Sequence, residues 1–170
     1  MCGRFQFYDN KNEYIEKIIA IANQRYEQGS FDIGEIFPAN RTIVLVLKGE
    51  ELDPVIMKWG FTRKNAKQLT INARTDSLDR YFADDYANRR CVVCCTGFYE
   101  WDSNKKKHYI SASDEKPLFL AAIYRKEEDM NHYCIITKDA SEALKTVHER
   151  MPVVMDEQQA IRYLKEAPRL

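Results

Sequence analysis

The sequence predicts an α+β fold: a single domain over residues 1–170, with a mainly antiparallel, barrel-like β core flanked by helices. Three observations carry this. Short β-branched and aromatic runs dominate the chain after residue 40. Helical periodicity is confined to the beginning and the end. No repeat, linker or low-complexity stretch divides the 170 residues, a length that buries a core without disulfide or metal staples.

The elements follow in order. From Asn12 to Gln28, Ile15, Ile18, Ile19, Ala22 and Tyr26 share one helical face, and Gly29 is a stop signal. Thr42–Lys48 (TIVLVLK) is a strand, Gly49–Asp53 a turn, and Pro54–Trp59 a second strand. FTRKNAKQ reads as a polar loop and Leu69–Ala73 as a short strand end. Cys91–Cys95 (CVVCC) is a buried strand, broken from Phe98–Trp101 by Thr96-Gly97. DSNKKK is a turn before His108–Ala112, and Leu118–Arg125 and His132–Lys138 are two more strands. Asp139 is placed to cap a helix through Val147, and Asp156 to cap a last helix to about Glu166.

With 26 basic and 26 acidic residues the net charge is zero, so the chain is neither a strongly basic nucleic-acid binder nor a disordered acidic tail. The charge is uneven: residues 58–90 are net +4 between flanks of −3 and −1, either a local phosphate-holding surface or a solvated face. No apolar run approaches the ~18 residues of a membrane span. MCGRFQFYDN lacks a signal-peptide core. A cytoplasmic protein is expected, with no membrane contact and with its five cysteines reduced.

Cys2 is the most unusual feature. Loss of Met1 would leave an aminothiol terminus. Its α-amine, with a pKa near ~7.7–8.0, is partly neutral at pH 7 and lies two carbons from the thiol. The amine attacks an aldehyde to give an imine, and the thiol closes a five-membered thiazolidine. No internal cysteine can do this. The alternative is an incidental residue near a frayed end. His148, in HERMP, follows the expected helix and suits a proton shuttle. Glu100, among the aromatics of GFYEW, is either a buried acid–base group or a solvent-facing residue in an alternating strand. Asn72 and Arg74 of INARTDS share a strand face, where an amide can orient a nucleophile and a guanidinium can hold phosphate; a turn asparagine beside a surface arginine is the alternative. Cys91, Cys94 and Cys95 look like core packing: a zinc site needs a second ligand pair, and none has suitable spacing. Trp59, opening the basic segment, is either a stacking platform for a single-stranded base or core.

MCGRF at the N-terminus, WGF, NARTDS, RRCVVCCTGFYEW and HERMPVVM resemble, in order and spacing, the SOS response-associated peptidase (SRAP) family, over Met1 to about Met155. The resemblance implies recognition of abasic sites in single-stranded DNA by a monomer, with a thiazolidine cross-link to the ring-opened sugar and no metal or organic cofactor. By motif position Cys2 is the nucleophile after removal of Met1. Asn72 orients the cysteine or the sugar, Glu100 handles protons during imine formation, and His148 assists ring opening, β-elimination or reversal. Arg4, Arg74 and Arg150 match phosphate contacts, Trp59 matches a stacking residue, and Pro38 and Met151 line the DNA path. Asp76 stands where the family usually has glutamate, and Cys94-Cys95-Thr96 where it has Pro-Ala-Asp, which alters the expected groove shape. Two other readings stay open: a cysteine peptidase with Cys2 as thiol nucleophile and His148 as base, and a noncatalytic DNA-binding module.

Overall fold

The computed structural model describes all residues except 1, 9–11, 65, 167 and 169. The described chain runs β1 (Phe5–Gln6), α1 (Glu13–Arg25), β2 (Glu35–Ile36), β3 (Arg41–Lys48), β4 (Glu51–Trp59), β5 (Phe61–Arg63), β6 (Ala66–Thr70) and β7 (Asn72–Arg74). A 3₁₀ turn (Thr75–Ser77) leads to α2 (Leu78–Tyr81) and α3 (Ala83–Asn88). Then come β8 (Arg90–Cys95), β9 (Gly97–Trp101), β10 (Lys107–Ser111), β11 (Leu118–Lys126), β12 (Asn131–Asp139), β13 (Arg150–Pro152), β14 (Val154–Met155) and α4 (Glu157–Lys165).

The larger sheet runs β12-β4-β3-β8-β11 and closes on itself because β11 also pairs with β12. This is the barrel-like core the sequence predicts, mainly antiparallel, with parallel pairings of β12 to β4 and to β7. Closure removes sheet edges, and the inward side chains fill the interior. Val44, Val92, Leu120, Ala122, Ile123 and Ile135 are fully buried. Pro54 is tolerated in β4 because β12 pairs with that strand only at Lys58 and Trp59, so its missing N–H costs no ladder bond there.

A second sheet, β10-β9-β1-β2, packs the N-terminal segment against the GFYEW strand. In β1, Phe5 pairs with Phe98 and Gln6 with Gly97. Gly97 has to be glycine: a Cβ there would stand 2.6 Å from the Tyr109 ring and the Ile110 carbonyl oxygen.

The two long helices form where they are read, although α1 ends at Arg25, with Tyr26 extended, rather than running to Gln28. The Asn12 side chain accepts from Ile15 N at 3.1 Å, and Ile15, Ile18 and Ala22 are buried. Asp156 and Gln159 form a reciprocal capping box on α4, whose Tyr163 hydroxyl donates to Ala122 O across the barrel wall. Arg90 donates to Tyr163 O and Tyr86 O, tying the last turns of α4 and α3 together.

Two expectations are corrected, and one stretch carried no expectation. The helix read over 139–147 is absent: Asp139 ends β12, paired with Arg150, and Ala140 N donates to Glu149 O. That ladder leaves room only for tight turns over 141–148, closed by bonds such as His148 N to Leu144 O. The segment read as a polar loop after Trp59 forms the β5–β6 ribbon. With most of its side chains exposed, its sequence shows no alternation to read. The short helices α2 and α3 went unread; Asp85 of α3, buried, holds both Arg89 and Arg125.

Candidate active site

Cys2 leads into β1. Tyr99 N donates to Arg4 O at 2.9 Å, so residues 2–4 run beside β9 toward Glu100. Cys2 is 0% exposed. Burial first, and the negative charge of Glu100 second, push its thiol up to about 12. A thiol so held is neutral at pH 7 and a weak nucleophile by itself. Glu100 is 4% exposed, on the face of β9 that also buries Phe98, while Tyr99 and Trp101 turn partly outward. The solvent-facing alternative for Glu100 is therefore excluded.

Glu100 lines a narrow cleft with Phe98, His148, Arg150 and Met151, where the smaller sheet meets the loop between β12 and β13. His148 Nδ1 accepts from Arg150 N at 3.0 Å. The same Nδ1 lies 3.2 Å from Arg150 O, so two contacts with the Arg150 backbone orient the ring. Arg150 spans from Asp139 (2.5 Å) to Thr137 O (2.7 Å), and Ser141 N contacts Met151 Sδ at 3.4 Å.

Asn72 opens β7, opposite Ile135 of β12, and Arg74 faces Thr137. Thr137 pairs with Pro152 on its other edge, so β12 separates Asn72 and Arg74 from Arg150 and Met151. Both amide atoms of Asn72 are inaccessible and have no hydrogen-bond partner among the described residues; the same holds for Nε of Arg4 and of Arg150. Arg74 makes a two-pronged bond to Asp76, Nε to Oδ1 at 3.0 Å and Nη2 to Oδ2 at 2.5 Å. That pairing holds the Asp76 carboxyl below the usual range, with Arg150 lowering it further. The two arginines are thus charge-balanced by Asp76 and Asp139.

Arg4 lies over the Phe37 ring at 4.0 Å and the Trp101 ring at 5.1 Å and bridges to Glu35 at 3.2 Å. Lys107 shares Glu35 at 2.5 Å and sits 4.0 Å over Tyr99. Phe37, Trp101, Lys107 and Glu35 escaped the sequence reading. Trp101 carried a usable signal: next to Glu100 on a strand, it must face the opposite side.

One site expectation meets a different placement. Trp59 is fully buried between the Phe5 and Tyr133 rings, so it presents no face to a base. Pro38 sits in the Phe37–Asn40 turn, which Ala39 N closes onto Trp59 O, outside the Glu100–His148 cleft. Met1, whose removal the aminothiol chemistry requires, lies outside the described residues. Among the described residues, no three His, Cys, Asp or Glu side chains group as a metal site requires. Nor is any described helix long and apolar enough to cross a membrane.

The family model for "SOS response associated peptidase (SRAP)" matches residues 1–169. The abasic site processing protein YedK of Escherichia coli K12 is 27% identical over 180 residues, covering 98% of this chain and 80% of that protein. The abasic site processing protein YoaM of Bacillus subtilis is 26% identical over 172 residues, covering 91% and 75%. A solved structure of a Bordetella bronchiseptica protein superposes with a TM-score of 0.77 at 19% identity, covering 96% of this chain and 88% of that one. Matched along nearly its whole length by the family model and carrying the fold of that solved structure, the chain belongs to the SOS response-associated peptidase family.

Proposed function

We propose that the protein traps abasic sites in single-stranded DNA through an N-terminal Cys2 exposed by removal of Met1. The observation that carries this reading is that buried Cys2 feels the charge of Glu100, a carboxylate that lines a cleft together with His148. The names of the relatives, which process abasic sites, agree with it.

The α-amine adds to C1′ of the ring-opened sugar, and water leaves to give an imine. The Cys2 sulfur then bonds to that carbon, while the thiol proton passes to the nitrogen by way of Glu100. The net change is one new C–N bond, one new C–S bond and one water released. Order matters here. A buried thiol with its pKa pushed up cannot lead as a thiolate, but it can follow an amine that has already made an electrophilic imine. His148, in the same cleft as Glu100, shuttles a proton from the C1′ hydroxyl to the sugar ring oxygen as the ring opens. The unpartnered amide of Asn72 and the Nε groups of Arg4 and Arg150 are donors held for the sugar and its flanking phosphates.

A thiol peptidase is less well supported, because it needs the thiolate that burial and Glu100 both disfavour. Incubation with an abasic oligonucleotide separates the two readings. The wild type is expected to give an SDS-stable adduct that Cys2→Ala lacks; an undiminished stable adduct from Cys2→Ala would overturn the reading.

A further inference from the structure

We infer that Trp59 is a positioning residue that sets Cys2 and Asn72 relative to one another, an inference that rests on the reading above. Trp59 closes β4 and is fully buried. Its ring lies 5.2 Å from the ring of Phe5, three residues beyond Cys2. Its indole Nε1–H donates to Ile71 O at 3.0 Å, the carbonyl directly before Asn72. One side chain thus touches the segment that carries the aminothiol and the peptide that carries the amide.

The Asn72 amide has no partner of its own among the described residues, so only its backbone orients it. The preceding carbonyl, Ile71 O, is held by two donors: Trp59 Nε1 and Ile135 N at 3.1 Å. Removing the indole N–H halves that restraint.

Trp59 itself has little freedom. Its N–H donates to Asn40 O and its carbonyl accepts from Ala39 N, both at 2.9 Å. Tyr133 stacks on it, with ring planes 8° apart. The next residue, Gly60, has φ +107 and donates to Tyr133 O at 2.8 Å. A Cβ there would stand 2.9 Å from Leu69 Cβ, so glycine is required to make this turn. His132 Nδ1 lies 2.7 Å from Gly60 O and fixes the following peptide. Swinging the indole out to meet a base would break these contacts together.

The test is Trp59→Phe, which keeps an aromatic ring beside Phe5 and Tyr133 and deletes the donor. Two quantities are read. One is the cross-linking rate at saturating abasic DNA. The other is the Kd for a single strand carrying tetrahydrofuran, an abasic analogue with no aldehyde. The expected result is a rate about tenfold lower with Kd unchanged within about twofold, since misplaced reacting groups cost rate before binding. Phe5→Leu, at the other contact of the indole, is expected to give the same split. A weakened Kd with an unchanged saturated rate would make Trp59 a DNA contact and overturn the inference, as would no change in either. The ¹⁵N-resolved side-chain amide of Asn72 is expected to shift in Trp59→Phe without DNA; an unmoved signal also overturns it. That spectrum needs no cross-linking. It therefore still decides the role of Trp59 should the wild type form no Cys2 adduct, a result that would count against the proposed function alone.

Discussion

Replacing Asn72 with leucine should stabilise the protein while disabling it. Both amide atoms of Asn72 are inaccessible and unpartnered among the described residues, so folding strips them of water and returns nothing. A buried polar group left unsatisfied costs about 1–3 kcal/mol. Leucine has nearly the same shape and no polar atoms, and the β7–β12 pairing at Ile135 uses only backbone. Asn72→Leu is therefore expected to gain about 1–3 kcal/mol in urea unfolding at pH 7. In a chain of 170 residues this raises Tm by about 2–4 °C per kcal/mol. The same variant should cross-link abasic DNA at least about 100-fold more slowly, the scale lost when one oriented polar group is removed from a reacting centre. A stability gain with an activity loss is the signature of a residue kept for a ligand. If Asn72→Leu is destabilised by more than about 1 kcal/mol, the amide has a structural partner and the reasoning fails.

Other outcomes follow from the same structure. All five cysteines are buried as free thiols. Burial lifts the Cys2 thiol to about 12 and pushes Cys91, Cys94, Cys95 and Cys134 well above the ordinary value of 9.0. Stability from these groups is complete below pH 9 and lost as pH rises toward the folded values, by about 1.4 kcal/mol per pH unit for each thiol. Urea midpoints in reducing buffer should stay level up to about pH 9 and fall steeply from pH 9 to pH 11, and a flat profile would contradict the burial. Asp76→Asn frees Arg74 from its two-pronged pair. Single-stranded DNA should then bind about threefold more tightly at low salt, with the gain fading at high salt; weaker binding would show that Asp76 orients Arg74 for its phosphate. Cys2→Ser keeps the amine, so it should give an imine that borohydride traps but no adduct that survives denaturation without reduction. A stable unreduced adduct would remove the thiol from the chemistry.

Much of the fold was legible because its signals are local. Asn12 and Asp156 sit where caps belong, and TIVLVLK and CVVCC are continuous apolar runs that suit barrel strands buried on both sides. What was not legible depends on tertiary pairing. Asp139 is as good a cap by type as Asp156, but it is claimed by Arg150 across β12 and β13. The β5–β6 ribbon has no apolar alternation to announce it, and β1, β2, β13 and β14 are only two or three residues long. Glu100, His148 and Arg150, singled out from their motifs, line one cleft, and Cys2, singled out for its chemistry, is buried within reach of the Glu100 charge. Trp59 shows the limit: its neighbours in sequence are those of a nucleic-acid platform, and only the ring contacts with Phe5 and Tyr133 reveal a core residue. The Arg4–Phe37–Trp101 stack joins three distant segments, so no window of sequence contains it.

The most direct measurement is intact and peptide-level mass spectrometry of the wild-type protein before and after incubation with an abasic single strand. The expected product is a chain lacking Met1 that gains the mass of the oligonucleotide minus one water, with the added mass on the peptide beginning at Cys2. An adduct mapped to a lysine, or no adduct from a chain whose Cys2 amine is free, would contradict it.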